Sequence, residues 1–368
     1  MRPRHPLRPG AAVASRIAAS GPGVAYGLVA YGTLAFGAIA FGTMALGALP
    51  AARADTPPAV WEMARTPGLR QAWRLHLTVR ELLDLEPSLE DRRSGAVEQA
   101  RVLLEAARAD TSPHAFLRFD LAEVYERLEA HERVIGLLKP TLAAYPEAPM
   151  ASEGYRMLAF AYAKLGRSRE ERDAYVQHLA RETDERHRAT ALLNLAEAHM
   201  HLGDLPEAVD TYREAVRVAA SVPLLNATEE TGILAQWGLA VALHRAGDPV
   251  GALDAARQAL ARDPREGLLR NRDRVFFVPA YEENWYYAVA AMARARDASD
   301  PRIAARHFAA AATYFQTYSA HAHSEDRWLP AARAYRDQNL SASKAAAARG
   351  AKLQRPGPLL PEPLDVPY

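Results

Sequence analysis

From about residue 60 to 345 the apolar residues recur at intervals of three and four, in segments of 12–16 residues broken by Gly, Pro or Asp. A period near 3.6 gathers them on one side of a helix, and alternating polar and apolar runs are almost absent, so an all-α body is predicted. A short amphipathic helix cannot bury its stripe alone and must pack on a neighbour. Length then says little about domain number. The 368 residues would suggest about two or three domains for an ordinary chain, but an array grows by adding units.

The segments are self-similar in pairs. In "LLNLAEAHMHLGDLPEAVDTYREAV" the residues Leu192, Leu195, Ala196, Gly203, Ala208, Tyr212 and Ala215 follow a large, large-small, Gly, Ala, aromatic, Ala order. The next unit repeats it at Leu239, Ala240, Gly247, Ala252, Ala259 and Pro264, with Ala256 where the aromatic stood. An earlier unit carries Tyr155, Leu158, Ala159, Tyr162, Gly166 and Tyr175 but has Glu171 in the Ala position, and a weaker one carries Leu121, Ala122, Tyr125, Val134, Leu138 and Pro146. This pattern resembles the tetratricopeptide repeat. The resemblance implies tandem antiparallel helix pairs wound into a right-handed superhelix, an α-solenoid. Small residues let two helices of a pair approach, large ones fill the gap, and each pair buries its stripe on the next.

Equivalent positions are 37 residues apart from Tyr125 to Tyr162 and from Tyr162 to His199, and 44 from His199 to Leu243. Against about 34 for the family, an irregular superhelix is expected. The array is assigned to residues 55–345, with best units at 115–148, 152–185, 189–222 and 233–266 and divergent pairs at 58–108 and 278–320. Pro67 and Gly68 are expected to interrupt the first helix. Residues 346–368, with five prolines in the last fourteen, are assigned to an extended tail.

Residues 1–54 read differently. They hold five Arg and no acid, and the 36 positions between Arg16 and Arg53 are uncharged. Glycine recurs every fifth residue from Gly27 to Gly47. At about 100° per residue these glycines spread around the whole helix and form no close-packing seam. The small-x-small triplet Ala52, Arg53, Ala54 suits a signal peptidase, whereas the apolar stretch of residues 24–49 is long enough to span a bilayer. Either a cleaved signal or a membrane tether follows, and in both cases the body is exported to the periplasm or cell envelope.

Beyond residue 54 the chain carries 40 basic and 44 acidic residues with no basic stripe, so no nucleic-acid partner is expected. The absence of cysteine removes disulfides, thiolate metal sites and cysteine nucleophiles. No phosphate loop, G-x-S-x-G, H-E-x-x-H or dinucleotide fingerprint occurs. The pairs His199/His201 and His321/His323 would point their rings about 200° apart on a helix, so no metal or cofactor is assigned and no catalytic residue is named.

What the resemblance implies instead is a concave groove that binds a protein or peptide. Helical spacing from the matched positions assigns to it Phe119, Arg156, Phe160, Asn194, Glu197, Trp237 and His244, with inter-repeat core an equal reading for Trp237. In the family an Asn at the place of Asn194 often pairs with a peptide backbone, because an amide donates and accepts at once. The stretch "RNRDRVFFVPAYEENWYY", residues 270–287, is read as glue between units or as an anchor for a partner. The expected function is a non-catalytic interaction scaffold of the envelope. The alternatives are a structural subunit of an envelope assembly and, from another class, an enzyme or carbohydrate-binding protein with a site near residues 270–330.

Overall fold

The computed structural model describes residues 66–85, 95–222, 226–271 and 275–352. The N-terminal segment 1–54 and most of the tail lie outside these. Among the described residues there is no strand. The α-helices are α1 (Pro67–Asp84), α2 (Ala96–Ala106), α3 (Ala115–Arg127), α4 (His131–Ala144), α5 (Ala151–Lys164), α6 (Ser168–Leu179), α7 (Glu185–Leu202), α8 (Leu205–Ser221), α9 (Asn226–Arg245), α10 (Pro249–Arg262), α11 (Gly267–Arg270), α12 (Glu283–Asp297), α13 (Pro301–His321) and α14 (Leu329–Ala351). Among the described residues, no helix is long and apolar enough to cross a membrane.

Local chemistry sets the ends of these helices. Asp184, Asp248 and Asp300 stand before α7, α10 and α13, and each side chain accepts from a backbone N–H of the first turn. Proline occupies the first turn of α1, α8, α10, α13 and α14, where its missing N–H costs nothing. This corrects the reading of Pro67 and Gly68, which begin α1 and do not interrupt it. Gly203 closes α7 with φ 84°, a conformation that lets the N–H groups beyond the helix turn back onto its last carbonyls.

Consecutive helices pack on one another from α1 to α10 and from α12 to α14, and α10 packs on α12 past the short α11, giving a solenoid of antiparallel pairs. The first helices also touch across the pairs, α1 with α3, α3 with α5, α7 with α9 and α9 with α12, and so form the inner row. Small residues permit this closeness. A Cβ on Gly154 of α5 would stand 2.6 Å from the Phe119 ring of α3, and one on Gly238 of α9 would stand 2.2 Å from the Tyr212 ring of α8. Ala208, Ala240, Ala252 and Ala256 are fully buried at other helix contacts.

The inner row is interrupted once: α5 and α7 do not pack on one another as the other first helices do. The apolar interior divides at the same place. One large core runs from Ala72 to Leu195 and another from Ala189 to Ala332, with α7 contributing Ala191 and Leu195 to the first and Leu192, Ala196 and Met200 to the second, and a small cluster of Ala304, Ala305 and Ala346 joins α13 to α14. The array is therefore two packed halves that share α7.

After α13 the chain makes one more long helix, α14, which packs along α13 and continues through Ala351, past the expected start of the tail. The turn before α14 reaches back across the array. Arg327 donates to the carbonyl of Leu202 at the C-terminal end of α7, a position where a cation meets the negative end of the helix dipole.

Candidate functional site

Where α5 and α7 separate, a cleft opens on the inner face. It is partly open to solvent and spans about 490 Å³ of non-atom space, with about 30 Å³ of room for the centre of a water-sized group. Helix α5 contributes Phe160 and Ala163, α6 contributes Glu171 and Tyr175, and α7 contributes Asn194, Glu197, Met200 and His201. The fourth wall comes from far along the sequence. Phe276, Phe277 and Val278, together with Glu282 and with Tyr286 of α12, close the space from above.

That wall is a strap of extended chain laid over the inner row. Phe276 meets Phe160 edge to face with centroids 6.0 Å apart, and the Lys164 ammonium sits 3.6 Å from the Phe276 ring centre. Phe277 packs on Tyr286 at 5.1 Å. The strap is anchored behind by the buried ion pair of Arg245 with Glu282, 2.6 Å long, and the Arg245 guanidinium lies over the rings of Trp285 and Trp328. Tyr318 Oη shares Glu282 and Asp326 as acceptors, and Tyr281 Oη donates to Asp326 at 2.8 Å.

Three of the seven groove residues named from sequence line the cleft: Phe160, Asn194 and Glu197. Arg156 stands half-buried on the same face of α5, held by Glu126 at 2.8 Å and Glu153 at 2.6 Å. The other three are core. Phe119 is 1% exposed because its ring fills the space above Gly154, and Trp237 is 0% exposed between helices of the second half. His244, also 0% exposed, accepts from Trp285 Nε1 at 3.2 Å and stacks on Phe315. Burial holds its pKa down at about 3, so the ring is neutral. At Phe119, Trp237 and His244 neighbouring elements cover the side chain, so these three are not groove residues.

The cleft is lined by three carboxyl side chains, Glu171, Glu197 and Glu282. Glu171 is 5% exposed and has neither a hydrogen-bond partner nor an ion pair among the described residues. Burial, and then the charge of Glu197, hold its carboxyl well above the usual range. Burial, and then the charge of Glu282, push Glu197 up to about 7, with the Tyr286 hydroxyl pulling the other way. Burial lowers the pKa of His201, which keeps the ring neutral. Asn194 Nδ2 donates to Tyr175 Oη at 3.0 Å, which leaves Asn194 Oδ1 as an acceptor.

Sequence reasoning missed Glu171, Tyr175, His201, Phe276, Phe277, Val278, Glu282 and Tyr286. Two signals were present: a glutamate in a slot that wants alanine, and the aromatic run of residues 270–287. Within that run Trp285, Tyr286 and Tyr287 are buried between units, while Phe276 and Phe277 wall the cleft. Trp285, Phe315 and Tyr318 of the same region are 0% exposed.

The profile of the family described as "Tetratricopeptide repeat" matches residues 187–265, the helices α7 to α10. Residues 187–265 are a tetratricopeptide repeat segment. No curated protein matches it. Among solved structures it is similar to a tetratricopeptide repeat protein from Parabacteroides merdae, at 15% identity and TM-score 0.41, covering 73% of this chain and 99% of that one. It is also similar to the TPR domain of P58(IPK), at 13% identity and TM-score 0.34, over 81% of this chain and 72% of that one. A third is the TPR2AB domain of yeast Sti1 in complex with pHSP90, at 16% identity and TM-score 0.26, over 75% and 100%. The family match begins within α7, the helix that borders the cleft on one side, and runs through α10.

Proposed function

We propose that this protein is an exported, non-catalytic scaffold that holds a protein or peptide partner in the cleft between α5 and α7. The observation that carries the reading is the cleft itself. It lies on the inner row and combines aromatic walls with a few convergent polar groups, the composition of a recognition site. Asn194 lines it with its amide nitrogen anchored on Tyr175, so its Oδ1 remains to accept a backbone N–H of an extended segment. Binding of an extended peptide library to the full chain, compared with Asn194→Ala, tests this. We expect about tenfold weaker binding for the variant, from loss of one buried hydrogen bond. Unchanged binding would remove Asn194 from the site.

The envelope location is part of the same proposal and is supported by the charge asymmetry of residues 1–54 and the apolar stretch 24–49. Release by osmotic shock of a mature chain beginning at Asp55 is the expected result for a cleaved signal. An intact N-terminus in the membrane pellet would identify the segment as a tether, and recovery in the cytosol would contradict export.

A further inference from the structure

We propose that the cavity bounded by Glu171, Glu197 and the aromatic strap is a receptor for a primary ammonium group on an unbranched chain, namely the lysine side chain of the bound partner peptide. The proposal deepens the groove reading and rests on it.

Its starting point is a residue that breaks the repeat. The family places alanine at the position of Glu171 because two helices must approach there. This chain places a carboxylate there, buries it to 5% exposure and gives it no partner among the described residues. An unpaired buried carboxyl is costly, and one that lines a cavity gains from a cationic partner there. Glu197 faces the same space from α7. Glu282 also lines it but is already neutralised by Arg245 at 2.6 Å, so two carboxyls are in excess.

The remaining walls favour a cation. Phe160, Tyr175, Phe276, Phe277 and Tyr286 surround the cavity, and an ammonium gains from the faces of such rings. Every facing group from the packed elements is accounted for. His201 of α7 is held neutral, Tyr175 and Tyr286 are uncharged hydroxyls, and the Lys164 ammonium rests on the Phe276 ring and does not line the space.

Size and donor count narrow the ligand. Room of about 30 Å³ for group centres suits one ammonium head, which is about the size of a water, and is tight for a planar guanidinium. An ammonium has three N–H groups to give, and Glu171, Glu197 and Asn194 Oδ1 are the acceptors that line the cavity. Among the described residues, no three acidic or histidine side chains converge closely enough to hold a metal ion. Entry of the ammonium ionises carboxyls that are otherwise protonated near neutral pH, so binding releases protons.

Calorimetry on the full chain at pH 6.5, in two buffers of different ionisation heat, tests the proposal. The probes are an acetylated and amidated pentapeptide with one lysine flanked by alanines, the same peptide with norleucine, and n-butylamine. The lysine peptide should bind with a buffer-dependent heat that reports proton release, and the norleucine peptide should bind about tenfold to a hundredfold more weakly. Glu171→Ala should lose the same factor while keeping or raising the melting temperature, since alanine is the packing residue. Equal binding of both peptides, or unchanged binding by Glu171→Ala, would overturn the ammonium site and leave the groove reading standing. Binding of n-butylamine without the lysine peptide would overturn the peptide source in favour of a free amine. If neither peptide nor amine binds, the ammonium site falls, and cross-linking of a partner from the cleft decides the groove reading separately.

Discussion

At the scale of single residues, the array depends on where side chains are absent. Ala208 is 0% exposed where α8 meets α7. Axes about 8–10 Å apart leave no room for a branched side chain. Ala208→Leu should cost about 1–3 kcal/mol, the range for overpacking, read as a lower denaturation midpoint. Gly238→Ala should also destabilise, because its methyl would meet the Tyr212 ring, which fully buried neighbours hold in place. The carboxyls of the cleft make a different prediction. Glu197 has a folded pKa raised to about 7 from the ordinary carboxylate value, so the folded chain binds more protons than the unfolded one between those values. Its contribution to stability is therefore present below the ordinary carboxylate range and is lost as pH rises towards about 7. Thermal melts from pH 4.5 to 8 should show a smaller loss over this window for Glu197→Gln than for the parent. A parallel profile would place Glu197 in water.

At the scale of elements, the pairs from α3 to α10 are legible because a helical period and a breaker at the turn recur in each, with a small residue at the crossing in the last two and Glu171 in its place in the one before. The unit assignments need nothing beyond neighbours in sequence. The strap was not legible. Its position over α5 depends on contacts between Phe276 and Phe160, 116 residues apart in sequence, and no local pattern encodes such a distance. The same holds for the partners that cover Phe119, Trp237 and His244. The strap is held at its base by Arg245 and Glu282, both buried. Glu282→Ala would leave the guanidinium buried without its counter-charge, and should cost about 3–5 kcal/mol. Replacing Phe276 and Phe277 with alanine touches only the half-buried part of the strap. Helicity should persist in that variant, while amide exchange of residues 275–278 rises; unchanged protection would mean that the rings do not hold the strap.

At the scale of the whole molecule, the chain is two packed halves joined through α7, with the cleft at the joint and the C-terminal turn folded back to it through Arg327. A regular solenoid would continue its inner row here. This one opens, and its own strap turns the opening into a site lined by carboxyl and aromatic side chains. The claim that this cleft receives the partner is tested most directly by photo-cross-linking in living cells with p-benzoylphenylalanine at Phe276, and at Val250 on the outer face of α10, which is 60% exposed. A discrete adduct from position 276 that is absent from position 250, and that weakens with Glu171→Ala, is the predicted result. An adduct from position 250 alone would contradict it and place the partner on the outer surface.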